Sequence, residues 1–309
     1  MSFARGRARP RPTVAAVGAF SAVVLVLSGC VLRPGKQPGA FVTGPTTATQ
    51  SAKPDIGFDA AAAVSAAVPA ELDAFIDSKG DHSGIAVVDR TSGATVSVNA
   101  GRTFQTASIV KFDILATRLY QHQLSGKPLT STEKSLAFRM ITASDNNAAS
   151  ALFAMDGGAA GVTAANKVFG TRATHVASSW GRTQTTPDDQ IRLLSAIMSP
   201  SGPITKANRD YILSLMSRVE PDQRWGVPAA ADSNTTNVYV KNGWDTMTAY
   251  AGLWGDNSIG RLIEPDHDWF VAVMSNYNRT DKAGHQLDGT LASLAVVGLR
   301  LQARLSATP

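Results

Sequence analysis

The chain has 309 residues, of which 44% are hydrophobic and 17% are charged, and its formal net charge is +5 at pH 7. This is the composition of an ordinary globular protein, and the length allows one large domain or two smaller ones. Four arginines, Arg5, Arg7, Arg9 and Arg11, stand in an N-terminal segment without acids. The rest of the chain is therefore close to neutral, which gives no basis for nucleic-acid binding. The single cysteine, Cys30, excludes an intrachain disulfide and a thiolate metal site.

Residues 1–29 have the pattern of a lipoprotein signal peptide. An apolar run over residues 13–28 follows the basic start, and this run is short for a membrane-spanning helix. It leads into Leu-Ser-Gly-Cys at positions 27–30, which resembles a bacterial lipobox, whose cysteine is lipidated and becomes the first mature residue. An uncleaved anchor and a chance cysteine are the alternatives. The lipobox predicts lipid on Cys30 and an extracytoplasmic protein anchored to the cell membrane.

Residues 30–56 are predicted to form the lipidated cysteine and a flexible tether. The tether is predicted because these residues are rich in Pro, Gly, Thr, Ser and Ala and show no hydrophobic period. A folded domain is predicted over residues 57–309. It starts with a helix over residues 58–78, where apolar side chains recur at helical spacing. Two short strands at 84–88 and 95–98 flank a Gly-containing turn and predict a β-hairpin.

The middle of the domain, from residue 108 to about 218, is predicted to be mostly helical. Strands return at 237–241, 258–263 and 270–274, and a final helix is predicted at 291–305. Strands lie at both ends of the domain and helices lie between them. This order predicts an α+β fold with one antiparallel five-stranded sheet built from both ends, an all-helical lobe beside it and a cleft between the two lobes.

The first motif that suggests chemistry is Ser-Ile-Val-Lys at positions 108–111. Ser108 and Lys111 are three residues apart at the start of an apolar helix, so their side chains share a face. A serine hydroxyl is activated by a neighbouring base, and a lysine shielded from water can serve. The same pattern recurs at Ser131 and Lys134, but that copy is hydrophilic and follows no hairpin. We therefore predict Ser108 as the nucleophile and interpret the second copy as a solvated helix start.

The second motif is Ser144-Asp145-Asn146. A hydroxyl and an amide at this place can relay a proton to a leaving nitrogen and hold a substrate amide. Ser, Asp and Asn also favour a helix N-cap or an Asx-turn. We assign Asp145 only that structural role.

The third motif is Lys241-Asn242-Gly243, at the end of a predicted strand. Lys241 can attract a substrate carboxylate, and Gly243 lets the backbone approach a ligand closely. The backbone N–H of Trp244 is predicted to pair with that of Ser108 as an oxyanion hole. Taken alone, this motif is more often just a strand end followed by a turn.

Together the three motifs resemble those of the class A β-lactamases and related penicillin-recognising serine hydrolases, and the resemblance runs from about residue 58 to residue 303. It implies a β-lactamase/D,D-peptidase-like two-lobed fold. It also implies an acyl-enzyme at Ser108, formed with a β-lactam, a peptidoglycan peptide or an ester. On this analogy Lys111 is a base, Ser144 a relay, Asn146 a substrate ligand and Lys241 an anion anchor. The lipobox and the Lys-Asn-Gly-Trp sequence indicate an actinobacterial lipoprotein.

One departure from the family concerns deacylation. No Asp or Glu lies between Phe169 and Pro187, where the family carries a glutamate that activates the deacylating water. Asp188 and Asp189 follow at a predicted helix start, where acids usually serve the helix dipole. Loss of a general base typically lowers a rate by about 10²–10⁴-fold. We therefore expect weak or absent β-lactam turnover and an acyl-enzyme that persists.

Further departures concern the cleft. The segment between Ser108 and Ser144 is shorter than in the family, which predicts a more open site. Asn242 replaces a hydroxyl residue, and its amide is expected to donate to a substrate carboxylate with changed geometry. The aromatic residues after Gly243 are equally consistent with lining the cleft and with packing against the sheet; they are Trp244, Tyr250 and Trp254.

The histidines show no spacing typical of metal ligands, so no metal or other cofactor is expected; they are His82, His122, His175, His267 and His285. A second function from a different class remains open at this point. It is a non-catalytic module on the same fold that binds cell-wall peptide or a protein partner. The missing loop acid and the open cleft motivate that alternative, whereas the three intact motifs motivate the hydrolase.

Overall fold

The computed structural model describes residues 60–307 of the chain. The predictions for the signal peptide, for Cys30 and for the tether lie outside these residues. In this part the helices are, in chain order, α1 (Ala60–Ser78), α2 (Val110–Ser125), α3 (Ser131–Thr142), α4 (Asn146–Met155), α5 (Gly158–Phe169), α6 (Pro187–Met198), α7 (Lys206–Met216) and α8 (Asp281–Ser306). The strands are β1 (Ser83–Asp89), β2 (Thr95–Val98), β3 (Phe104–Gln105), β4 (Gln184–Thr185), β5 (Asn237–Thr246), β6 (Trp254–Ile263) and β7 (Asp268–Asn278). No described helix is both long enough and apolar enough to span a membrane.

Five strands form one antiparallel sheet in the order β2-β1-β7-β6-β5. The β1–β2 hairpin joins the late strands because β1 pairs with β7, with Ile85 opposite Val273. Helix α8 packs against β7 and β6 and also against α1, whereas α6 contacts β7 and β1. Strand β7 is therefore apolar and buried over its central part. The predicted α+β fold with a sheet built from both ends of the domain is confirmed.

Helices α2, α3, α4, α5 and α7 form the helical lobe, in which α2 contacts each of the other four. Its central side chains are fully buried, among them Phe112, Ile114 and Leu115. Helix α2 also contacts β5. The residues at the start of α2 are thus held where the helical lobe meets the sheet.

Several late elements are longer than predicted. Strand β5 continues to Thr246 and β6 begins at Trp254, because these two residues pair across the hairpin. Backbone pairing therefore extends both strands beyond their apolar cores, and the Lys241–Gly243 motif lies inside β5 rather than at its end. Helix α8 begins ten residues earlier than expected, at Asp281, where the Thr280 side chain accepts a hydrogen bond from the Ala283 N–H.

Candidate active site

Ser108 lies in a single 3₁₀ turn, Ala107–Ile109, that runs directly into α2. We call this turn the nucleophile turn, after the role predicted for Ser108. The prediction had placed Ser108 in the helix itself. Ala107 has φ of 43°, in the left-handed region that a residue with a side chain rarely adopts. Such a conformation persists only where neighbouring contacts hold it.

Two residues of the sheet provide these contacts. A Cβ added to Gly243 would lie 2.5 Å from the Ser108 nitrogen and 2.6 Å from the Ile109 nitrogen, so β5 touches the nucleophile turn backbone to backbone. Asn257 of β6 donates its side-chain amide to the Gln105 carbonyl at 2.9 Å. Gly243 was expected to let the backbone approach a ligand, but what it admits is the protein's own nucleophile turn. Sequence analysis missed Asn257, which belongs to no motif.

Lys111 is fully buried and is close to the other predicted catalytic groups. Its Nζ lies 2.8 Å from the Ser108 Oγ and 3.1 Å from the Ser144 Oγ. It also donates to the Asn146 Oδ1 at 2.7 Å. Burial lowers the pKa of Lys111 to about 7, although the nearby charge of Asp145 acts in the opposite direction. A large fraction of this lysine is therefore neutral near pH 7.

Ser144 joins the two lysines of the site. Its φ is 54°, and its Oγ lies 3.0 Å from the Lys241 Nζ as well as near Lys111. Lys241 is fully buried and also donates to the Asn242 carbonyl at 2.7 Å. Burial and the positive charge of Lys111 hold the pKa of Lys241 well below its ordinary value. The four groups form a continuous chain from Ser108 through Lys111 and Ser144 to Lys241.

Asp145 caps helix α4, as predicted. Its carboxylate accepts hydrogen bonds from the backbone N–H groups of Asn147 at 2.8 Å and Ala148 at 2.9 Å. It also pairs with Arg139 at 3.1 Å. This cap orients the segment that carries Ser144 and Asn146.

Asn242 does not point at a substrate. Its amide donates to the backbone carbonyls of Gln223 at 2.8 Å and Trp225 at 2.9 Å, and the side chain is fully buried. Both hydrogens of the amide are thus used by the protein itself. The structure contradicts the expectation that Asn242 donates to a substrate carboxylate; the residue instead ties β5 to the loop before it.

A surface cleft of about 410 Å³ opens over Ser108. Trp180, which lines it, was also missed, because no motif surrounds it. Its ring lies 4.9 Å from the Lys111 Nζ, and its Nε1 donates to the Ser150 Oγ at 3.1 Å. Trp180 therefore covers the lysine on the solvent side and connects its own loop to α4.

The aromatic residues after Gly243 do not share one role. Trp244 lines the cleft, yet its ring also meets the rings of Trp225 and His285 at 5.8 Å. Tyr250 is half-buried, and its ring lies 4.9 Å from that of Tyr277. Trp244 thus fits both alternatives, whereas the contacts of Tyr250 are those of packing.

The acids at the start of α6 have different environments. Asp189 is fully buried and accepts hydrogen bonds from the backbone of Arg172 and Ala173 and from the hydroxyl of Thr174. These bonds and the Arg192 side chain hold the pKa of Asp189 low, against the opposing effect of burial. The expectation that this acid merely serves the helix dipole is wrong, because Asp189 organises the preceding loop. Asp188 is half-exposed, as expected for a helix start.

The second Ser-x-x-Lys copy is a solvated helix start, as predicted. Ser131 and Lys134 are exposed in the first turn of α3, where Thr130 and Glu133 form a capping box. Over residues 60–307, no group of three His, Cys, Asp or Glu side chains is arranged to bind a metal ion. His122 hydrogen-bonds Glu133, His267 hydrogen-bonds Asp89, and the ring of His285 stacks on Trp225.

The fold is that of the class A β-lactamases, and comparison with known families agrees. The model of the β-lactamase enzyme family matches residues 123–297. The chain belongs to this family.

Two relatives are proteins named as lipoprotein LppW, from Mycobacterium tuberculosis and Mycobacterium bovis. Each is 29% identical to this chain over 200 residues, which cover 62% of this chain and 62% of the relative. The match thus spans less than two thirds of the relatives' own length. The predicted likeness to class A β-lactamases and to an actinobacterial lipoprotein of this type is confirmed.

Solved structures share the fold at low identity. PBP-A is 19% identical with a TM-score of 0.66, and the match covers 76% of this chain and 96% of that one. A class A β-lactamase from Bacteroides cellulosilyticus is 17% identical with a TM-score of 0.64, over 77% of this chain and 99% of that one. The TLA-3 extended-spectrum β-lactamase is 17% identical with a TM-score of 0.67, over 76% and 99%.

Proposed function

We propose that this protein is a serine hydrolase that forms an acyl-enzyme at Ser108. The observation that carries the proposal is the buried contact of 2.8 Å between the Lys111 Nζ and the Ser108 Oγ, together with the lowered pKa of Lys111, about 7. A neutral lysine at this distance can accept the serine proton as the oxygen attacks a carbonyl carbon. A lysine in water at its ordinary pKa would be almost entirely protonated and unable to do so.

The same chain of contacts supplies a route for the proton. Lys111 and Lys241 both donate to the Ser144 Oγ, so the Ser144 hydroxyl proton is free to point at a leaving nitrogen or oxygen. When that group departs, Ser144 gives it this proton and receives another from the protonated Lys111. The negative charge on the attacked oxygen is stabilised by the backbone N–H groups of Ser108 and Trp244. The close approach of Gly243 to the Ser108 backbone supports that pairing.

Asn146 is placed to bind the substrate, and the 170–186 loop bears on the deacylation step. Asn146 is exposed at the cleft with its oxygen held by Lys111, which leaves the amide nitrogen to donate to a substrate carbonyl. The loop contains no acid, so no carboxylate of the loop activates water against the acyl-enzyme. We therefore propose that deacylation is slow and that β-lactam turnover is weak or absent.

The test is the intact mass of the full-length protein, held in detergent, after incubation with penicillin G. A variant of PBP-A, which has this fold, was captured as an acyl-enzyme complex with penicillin G, so this drug is a suitable first probe. We expect a stable mass gain that Ser108→Ala abolishes. The matched control is Ser131→Ala, which alters the exposed copy of the motif and should acylate normally.

Other outcomes of this test separate the alternatives. Drug consumed without a lasting adduct would contradict slow deacylation but not the nucleophile. No adduct from penicillin G, and none from peptide or simple ester donors, would contradict the hydrolase and favour the non-catalytic binding module, since the cleft would then hold its ligand without reaction.

We further propose that lipid on Cys30 anchors the protein to the extracytoplasmic face of the membrane. The sequence at 27–30 and the lipoprotein name of the LppW relatives support this. Expression in an actinobacterial host, followed by membrane fractionation, tests it. We expect the Cys30→Ser variant to be lost from the membrane fraction. Equal amounts of both proteins in that fraction would argue against lipid on Cys30.

A further inference from the structure

Charged side chains are scarce at the surface of the cleft. Of the described residues that line it, only Arg182 and Asp245 are charged. Both are exposed, and neither side chain forms an ion pair or a hydrogen bond with another described residue. The same two residues also line an adjoining cavity of about 110 Å³. A cation and an anion thus line both cavities beside Ser108, and no ion pair joins them.

Backbone and side-chain hydrogen bonds connect the turn that carries Arg182 to the elements around Ser108. Arg182 ends a 3₁₀ turn that begins at Trp180, whose ring nitrogen is bonded to Ser150. The next residue, Thr183, accepts a hydrogen bond at 2.8 Å from the N–H of Thr106, two residues before Ser108. Strands β3 and β4 pair directly next to this contact, with Gln105 opposite Gln184. The backbone of Arg182 is therefore joined to the segment that leads into the nucleophile turn.

Asp245 projects from the strand that borders the site. Side chains alternate along a strand, so Lys241, Gly243 and Asp245 share one face of β5. The Lys241 side chain on that face reaches Ser144, and the Gly243 backbone touches the nucleophile turn. Asp245 pairs with Gly255 of β6 in continuous register. It consequently lies on the catalytic side of the sheet, at the outer end of the same face.

The other cationic and donor groups expected to hold a carboxylate are already engaged. Lys241 is buried, bonded to Ser144 and to a backbone carbonyl, and has a lowered pKa. The Asn242 amide is used by two backbone carbonyls. Arg182 is the exposed cation of the cleft, and its guanidinium matches a carboxylate with two parallel hydrogen bonds. Asp245 beside it repels a purely anionic ligand and attracts an ammonium group.

From this arrangement we infer that the cleft selects a zwitterionic peptide as the acyl donor of Ser108. Arg182 binds its carboxylate and Asp245 binds its ammonium group. A peptide branch that ends in a free α-amino acid centre carries both groups on one carbon. The inference rests on the proposed function in that the bound peptide is taken to be the molecule that acylates Ser108.

The experiment measures binding without reaction, by calorimetry on the full-length Ser108→Ala protein. Three tripeptides that end in D-alanyl-D-alanine serve as probes. In the first, the side chain of the first residue ends in a free α-amino acid centre. In the second, the amine of that centre is acetylated, and in the third, the carboxylate of that centre is a carboxamide. We expect the zwitterion to bind about 10-fold more tightly than either, which corresponds to about 1.4 kcal/mol. Asp245→Asn should remove the preference for the free amine, and Arg182→Gln should remove the preference for the free carboxylate.

The matched control is Lys206→Gln with Asp210→Asn, an exposed ion pair on α7, which should leave all three affinities unchanged. Equal binding of the three peptides, or preferences that survive both cleft variants, would overturn the inference. Acylation of the native protein by the uncharged ester p-nitrophenyl acetate tests the proposed function separately. Acylation without a peptide preference would refute only the zwitterion, and a peptide preference without acylation would refute only the hydrolase.

Discussion

Two opposing influences act on the pKa of Lys111, and burial is the larger of the two. Burial lowers its pKa to about 7, and the negative charge of Asp145 raises it. Asp145 has a second role, because its carboxylate also caps α4. The residue that keeps the base partly protonated is thus the residue that orients Ser144 and Asn146.

Replacing Asp145 by Asn separates these two roles. Asn caps helices about as well as Asp, but it removes the negative charge near Lys111. In the proposed function the neutral lysine is the base, so the acylation rate is expected to rise with pH through the pKa of Lys111, near 7. We expect Asp145→Asn to move the midpoint of this rise to lower pH. The measurement is the rate constant of Ser108 acylation between about pH 5 and pH 9.

The control for this change is Asp77→Asn, which removes an exposed acid from α1 and should leave the midpoint in place. An unchanged midpoint together with the native rate, or a midpoint at higher pH, would show that Lys111 does not titrate in the acylation step. A lower rate at every pH with no shift would instead indicate that the α4 cap had failed.

At the scale of elements, the site depends on how strand β5 meets the nucleophile turn. The contact is between backbones, because Gly243 has no side chain and the neighbouring atoms are the nitrogens of Ser108 and Ile109. Asn257 of β6, the residue opposite Gly243, donates its side-chain amide to the Gln105 carbonyl just before the same turn. The sheet therefore positions the nucleophile without contributing a side chain from β5.

The Gly243→Ala variant tests this contact. Its methyl group would lie too close to two backbone nitrogens, so the turn or the strand must shift. A displacement of about 1 Å near a reacting group can lower a rate about 100-fold, and overpacking typically costs roughly 1–3 kcal/mol of stability. We expect losses of this size in acylation rate and in the free energy of urea unfolding.

Gly101→Ala is the matched control, since nothing lies within 4 Å of its added Cβ, and it should acylate at the native rate. Normal acylation in Gly243→Ala would mean that the nucleophile turn tolerates displacement and that the close approach of β5 has no catalytic consequence.

At the scale of the whole molecule, several acids outside the cluster of Ser108, Lys111, Ser144 and Lys241 are buried. Burial raises the pKa of Asp113 to about 7, of Asp156 to about 8 and of Asp256 to about 7. Asp113 is held by Asn166 at 2.8 Å, and its other oxygen has no partner among the described residues. Because the folded state binds these protons more tightly than the unfolded chain, the stability they contribute is complete at low pH. It is lost progressively as the pH rises from about 4 to about 8, the folded-state pKa of Asp156.

We expect Asp113→Asn to flatten this dependence, since an amide stays neutral at every pH. Relative to the native protein, the variant should gain stability as the pH rises from about 4 to about 8. The gain should be on the order of a few kcal/mol, given about 1.4 kcal/mol per pKa unit. Urea unfolding at a series of pH values measures it, with Asp77→Asn as the exposed control. Parallel curves for the native protein and the variant would show that Asp113 is ionised in the folded state.

Local patterns in the sequence determined the fold class and the position of each motif. The alternating strands, the helical run after Ser108 and the spacing of Ser108 and Lys111 along one helical turn depend only on neighbouring residues. The same holds for the Asp145 cap and for the exposed start at Ser131. These features could be predicted because their periods and caps are properties of short segments.

Only the tertiary structure decided which way the remaining polar groups point. Asn242 turns to the loop before its strand, Asp189 is buried under residues 172–174, and Trp180 covers Lys111 from a loop without a motif. Each of these contacts joins residues from separate elements, and their orientation depends on how the sheet packs against the helical lobe. No local period encodes that packing. The lowered pKa of Lys111 and the exposure of Arg182 and Asp245 in the cleft therefore could not be predicted from the sequence.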